Sequence, residues 1–161
     1  MLLLVRQHLP VHHGSAHGPY VEYLLLSPET GAQHAFVDDE EPDSDYRSSI
    51  TLIDVASNRH CFNDGCHTSH HLNPLRHWRE HPVSFMKTKE LYASQHALVF
   101  HNIDYIMITV RLLMKDYQTL AKCMVPIGSQ VSMTLEERAA LLRRHTRRFT
   151  EEEICKKFMG A

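Results

Sequence analysis

Cys61-Phe62-Asn63-Asp64-Gly65-Cys66-His67-Thr68-Ser69-His70-His71-Leu72-Asn73-Pro74-Leu75-Arg76-His77-Trp78-Arg79-Glu80-His81 separates two kinds of sequence. Before it, short β-branched and aromatic runs alternate with turn formers. Residues 2–8 and 20–26 read as strands. Ser27-Pro28 ends the second, Gly31 marks a turn, and residues 33–37 read as its hairpin partner. Residues 49–55 alternate and read as a further strand, while the acidic run at 38–43, extended by Asp45, is expected at the solvated surface. After the stretch, residues 87–95 fit a short helix, and residues 97–100 are an apolar run too short to assign. Ile103, Ile106, Met107, Val110, Leu113, Met114, Tyr117 and Leu120 then recur at spacings of three and four. This predicts one amphipathic helix over 103–124, its apolar stripe toward a core, ended by Pro126 and Gly128. Thr134-Leu135-Glu136-Glu137 and Thr150-Glu151-Glu152-Glu153 are capping-box signatures that open two more helices, at 134–146 and 150–158. Strands first and helices later predict an α+β fold with N-terminal antiparallel strands and C-terminal helices.

The chain of 161 residues fits a single domain. It divides into a β-rich part at 1–56, a metal-binding segment at 57–82 and a mainly helical part at 87–161. A net charge of −2 provides no global basic field of the kind that marks many nucleic-acid binders. Histidine is the compositional outlier, with 14 residues, and it is the commonest metal ligand. His8, His12, His13 and His17 form one cluster, but Pro10, Gly14 and Gly18 make a loop of it rather than a helix.

The second histidine cluster lies in the opening stretch. Cys61 and Cys66 flank Asn63-Asp64-Gly65, a turn sequence that brings two sulfurs to one side. Asn73 suits an N-cap and Pro74 a first helical position, so a helix through His81 would stack His77 and His81 on one face. The set Cys61, Cys66, His77, His81 provides the two thiolates and two imidazoles of a tetrahedral zinc site, a zinc knuckle between the strands and the helices, with the ion in a structural role. His71 is an alternative ligand, as Cys61-x4-Cys66-x4-His71. With no secretory leader evident, cysteines so spaced are read as metal ligands rather than a disulfide.

This segment resembles the Cys2His2 zinc finger, in which a β-turn carries two cysteines and a following helix carries two histidines. The resemblance covers residues 61–81 and implies Cys61 and Cys66 as the thiolate pair and His77 and His81 as the imidazole pair. The spacer is shorter than the family's, lacks its aromatic residue, and places Leu75 two residues before His77. The same string is similar to the zinc loop of the His-Cys box homing endonucleases. That resemblance implies a magnesium-dependent nuclease, with His60 as general base and Asn73 on the magnesium; His70 is a second candidate base. It requires five extra residues between Cys66-His67 and Asn73-Pro74 and lacks the family's serine-histidine pair before the first cysteine.

Arg143, Arg144, Arg147 and Arg148 form the most basic stretch, and their i, i+4 pairs would line one side of a helix end. Arginine forks suit phosphates and carboxylates, so nucleic acid or an acidic protein partner is expected there. Trp78 reads as a core anchor or a partner contact. Neither a Gly-rich phosphate loop nor a nucleophile elbow is present, and no small-molecule substrate is evident. Met1-Leu2-Leu3-Leu4-Val5 runs directly into Arg6 and His8, so neither a signal peptide nor a membrane span is expected and the site of action is read as cytoplasmic or nuclear. The expected function is a non-enzymatic, zinc-stabilised regulatory protein that binds nucleic acid or protein. The alternatives are the nuclease and a zinc-shaped adaptor without nucleic-acid binding.

Overall fold

The computed structural model describes residues 28–158. Helix α1, Pro28–Gln33, opens on a proline whose fixed φ suits a first helical turn, and it leads into the buried Phe36. Strand β1 is Ile50–Ile53, followed by a 3-10 turn at Ala56–Arg59. Helix α2, His67–Leu72, comes next, then a second 3-10 turn at Trp78–Glu80 and helix α3, His81–Ser94, which kinks at Thr88. Strand β2, Leu98–His101, precedes helices α4, Tyr105–Leu113, and α5, Tyr117–Cys123. A 3-10 turn at Gly128–Ser132 leads to α6, Leu135–His145, and α7, Glu151–Phe158. Among the described residues no helix is long and apolar enough to cross a membrane.

Mixed helix and strand agree with an α+β fold, but the sheet corrects the reading of its strands. β1 and β2 are parallel, in the register Ile50↔Leu98 to Ile53↔His101, not antiparallel. A parallel pair cannot be closed by a hairpin, and here the intervening α2 and α3 make the crossover. The hairpin partner expected at 33–37 is instead the end of α1 and the segment after it. The strands expected at 2–8 and 20–26, and the cluster His8 to His17, lie outside the described residues.

The helix expected over 103–124 is broken in two. Lys115 adopts a left-handed backbone (φ 55°), and the Asp116 side chain caps α5 by accepting from the Thr119 amide at 3.1 Å. Its supposed stripe is divided as well. Ile103 and Leu120 are buried, whereas Ile106, Val110, Leu113 and Met114 are exposed and α4 turns Tyr105, Ile108 and Thr109 inward. Both capping boxes form: Thr134 accepts from the Glu137 amide and Thr150 from the Glu153 amide, each at 3.2 Å.

The core gathers Ile50 and Leu52 from β1, Leu98 and Phe100 from β2, and Ile108, Leu120 and Leu142 from the later helices. Phe36 and Phe100 meet with ring centroids 5.6 Å apart. Part of the acidic run is built in rather than solvated. Asp38 is buried, and its Oδ1 accepts from the amides of Glu40 and Glu41 at 2.7 and 2.8 Å. Its Oδ2 faces His145 Nε2 at 3.6 Å. The loop closes on α6 through the Val37 amide and the His145 carbonyl, 2.8 Å apart.

Phe100→Ala should cost about 3–5 kcal/mol, since the ring has no solvent route and leaves a cavity. A urea midpoint that does not move would contradict this packing. Acid should also erode stability. Burial holds the His145 ring below its ordinary value, so the unfolded chain takes up a proton more readily than the folded one and stability rises with pH. The loss begins as pH falls through about 6.5, the ordinary histidine value, and continues down to the folded value. Asp38 follows at lower pH: burial raises its pKa, but the Glu41 and Glu40 amides overcome that and hold it below its ordinary value, so its share is lost in turn. Urea midpoints measured with chelator between about pH 7.5 and about pH 5 should fall less steeply in His145→Gln than in the wild type, and equal slopes would refute the assignment.

Candidate metal centre

Local backbone chemistry sets the position of α2. Phe62 and Asn63 both take left-handed conformations (φ 51° and 55°), reversing the chain inside the turn. The turn then docks on β1. The Leu52 amide donates to the Gly65 carbonyl at 2.7 Å, and Thr51 and Cys66 form an isolated antiparallel bridge. Asn58 Nδ2 donates to the Leu52 carbonyl at 2.9 Å, and its side chain fills the space where a Cβ on residue 65 would stand, so Gly65 is required by close approach. α2 starts at the next residue but one. His67 and His71 are i and i+4 and share a face, with ring centroids 4.6 Å apart.

His34, just past α1, completes a cluster with them. Its Nε2 lies 2.9 Å from His67 Nε2, and His71 Nε2 lies 3.1 Å from His67 Nε2. One ligand atom from each of the three residues lies within 4.8 Å of the others, and this is the group of three or more ligating side chains found among the described residues. Ligands 2.0–2.1 Å from a tetrahedral zinc stand roughly 3.3–3.4 Å apart, and the two distances to His67 Nε2 fall a few tenths of an ångström short of this.

Two carboxylates orient the rings. Asp45 Oδ1 is 3.2 Å from His71 Nδ1. Asp64 Oδ1 is 3.8 Å from His67 Nδ1, while its Oδ2 accepts from Gln33 Nε2 at 2.7 Å. A carboxylate can only accept, so the ring proton of His71 belongs on Nδ1, and that of His67, whose buried Nδ1 has no hydrogen-bond partner and faces Asp64, is drawn the same way. Both Nε2 atoms then carry bare lone pairs that face each other. Loss of water around the ring, then the facing His67 and His71 rings, pushes His34 down to about 4, although the residue keeps an exposed edge. Burial, then His67, likewise holds His71 below its ordinary value. The Asp64 carboxyl is held below its ordinary value, first by the facing His67 and then, against burial, by Gln33. Neutral imidazoles backed by anionic carboxylates are the protonation state that metal binding requires.

Among the described residues, Cys61, Cys66, His77 and His81 are not part of this group. Cys61 is half-buried in the turn, and Cys66 is buried, its thiol pushed up to about 11 by burial and then by Asp64. Neither is in a disulfide. His77 is exposed, caps the second 3-10 turn by accepting from the Arg79 amide at 3.3 Å, and stacks on Trp78. His81 is buried at the start of α3, with Nδ1 3.0 Å from Ser69 Oγ. The two therefore do not share a helix. The Asn73 side chain accepts from the Leu75 amide at 3.2 Å, making a turn rather than a helix start, and His77 is extended. Of the expected ligands, His71 is the one found in the cluster. His60 and Asn73 are exposed. The sequence reading missed His67, although the i, i+4 pair His67/His71 was visible, and His34, which no local pattern marks.

The basic helix end is partly neutralised. Arg147 grips Glu153 with both guanidinium nitrogens, at 3.1 and 2.8 Å, and Arg144 Nε is 3.7 Å from Asp39. Arg143 lies over the Tyr117 ring, 5.3 Å from its centroid. Arg143, Arg144 and Arg147 do share a hollow between α5 and α6, also lined by Gln118 and Glu136, and Arg148 is exposed.

No protein-family model matches this chain, nor does any curated protein or solved structure.

Asp45→Asn should weaken metal affinity about 10–100-fold by loosening the His71 ring, as loss of an outer carboxylate does elsewhere. Competition against a chromophoric chelator measures this, and unchanged affinity would remove Asp45 from that role.

Proposed function

We propose that the protein is a zinc-binding protein whose activity is organised around His34, His67 and His71. One observation carries the reading: the Nε2 atoms of His34 and His71 lie 2.9 and 3.1 Å from His67 Nε2, with Asp45 and Asp64 on the outer nitrogens of His71 and His67. Imidazole sets suit zinc, copper, nickel and iron, and three imidazoles are an established zinc donor set. An ion there would join the end of α1 to α2 and, through the turn at Gly65, to β1. We extend the reading to a partner: the hollow at Arg143, Arg144 and Arg147 suits an acidic protein segment. Arg147 already holding a glutamate of its own chain supports a carboxylate partner over a bare phosphate backbone.

Metal analysis of purified protein tests the central claim. The wild type should carry one zinc per chain, His67→Ala and His34→Ala should carry none, and Cys61→Ser should keep it. A folded wild type without metal after purification free of chelator would overturn the proposal. Zinc lost in Cys61→Ser and kept in His34→Ala would move the site to the cysteine turn.

A further inference from the structure

Three imidazoles converge at the cluster, and the carboxylates beside them are turned to other work. Asp45 lies against Nδ1 of His71, the nitrogen that does not point into the cluster. Asp64 has one oxygen on the Gln33 amide and the other facing His67 Nδ1, again the outer nitrogen. Among the described residues no further His, Cys, Asp or Glu atom joins the group. His70, on the same helix, stacks alongside His67 with centroids 5.9 Å apart, so its ring runs beside the cluster. His81, the other histidine nearby, is engaged by Ser69 Oγ. His34, by contrast, is exposed, so the cluster has a side open to solvent.

Zinc sites that serve only structure are closed by four protein ligands, whereas sites with three keep the remaining position for water or substrate. We propose that zinc held by His34, His67 and His71 keeps an exchangeable fourth position, occupied by water and open to small anionic oxygen or nitrogen donors. The centre is then of the reactive kind, and its ligands are small molecules or side chains that end in such a donor. A water in that position is acidified by the ion, which makes it a nucleophile near neutral pH. This inference rests on the metal reading above and deepens it from binding to ligand exchange.

Cobalt(II) in place of zinc makes the test direct, because its visible absorption reports both the number and the kind of its ligands. The full chain is loaded with one equivalent of cobalt and titrated with acetohydroxamate and, separately, with azide. A visible band in the wild type that is lost in His67→Ala would place the metal. A saturable shift of that band with either anion, lacking in His67→Ala, is the expected result. A band that depends on His67 but does not move with either anion would overturn the open position while leaving the metal site intact. A fourth ligand from the chain, such as His8, His12, His13 or His17, would produce that outcome. No His67-dependent band at all would instead sink the metal reading itself. The anion titration uses the wild-type chain, so it stands even where His67→Ala is unstable, and His71→Gln is then the control.

Discussion

Leu52 joins the hydrophobic core to the histidine cluster. Its side chain is fully buried between the helices, while its amide and carbonyl leave the sheet and bond to Gly65 and Asn58. Packing therefore fixes the backbone of β1, and β1 fixes the turn from which α2 begins. A six-residue helix has little stability of its own, because nucleation costs more than so few hydrogen bonds return. The placement of His67 and His71 is thus a tertiary property. It depends on a parallel strand pair whose second member lies beyond two intervening helices.

The same fold brings together groups that oppose one another electrostatically. Three histidines meet there, burial and the neighbouring rings disfavour the proton on His34 and His71, and two aspartates stand behind His67 and His71. Such an arrangement has the donor set and the backing carboxylates that could hold a metal ion. His145, buried at the end of α6, is different. It sits beside Asp38 in a turn that closes the loop before β1, and it serves packing.

Some of this could be read from the residues. The capping boxes at Thr134 and Thr150 are local devices, and both formed where the pattern placed them. The Cys/His segment also contributes two of the three histidines that lie close enough to hold a metal ion, and His71, an alternative ligand in the sequence, is one of them. Four things were hidden, each for a physical reason. The parallel pairing of β1 with β2 is a non-local contact that no alternation within 49–55 reveals. The break at Lys115 and Asp116 is invisible to periodicity, since the apolar spacing continues across it while an aspartate cap and a left-handed residue end the helix. His77 and His81 fit a helix on paper, yet Asn73 used its side chain for a turn instead. His34 carries no local signature at all, because its role arises from the packing of α1.

His34 and His67 are 33 residues apart in the chain. In an unfolded polypeptide, bringing two such points together costs roughly 3–4 kcal/mol of loop-closure entropy, whereas His67 and His71 remain near neighbours at all times. The folded protein has already closed that loop, with β1 and Asp45 on its circumference. An ion arriving at the finished cluster thus meets a preformed three-armed chelate, while in the unfolded chain it meets only a two-armed one. Its affinity then becomes a gauge of how tightly α1 is tethered to the rest, and local fraying of α1 alone would convert a tight chelate into a leaky one with the core still intact.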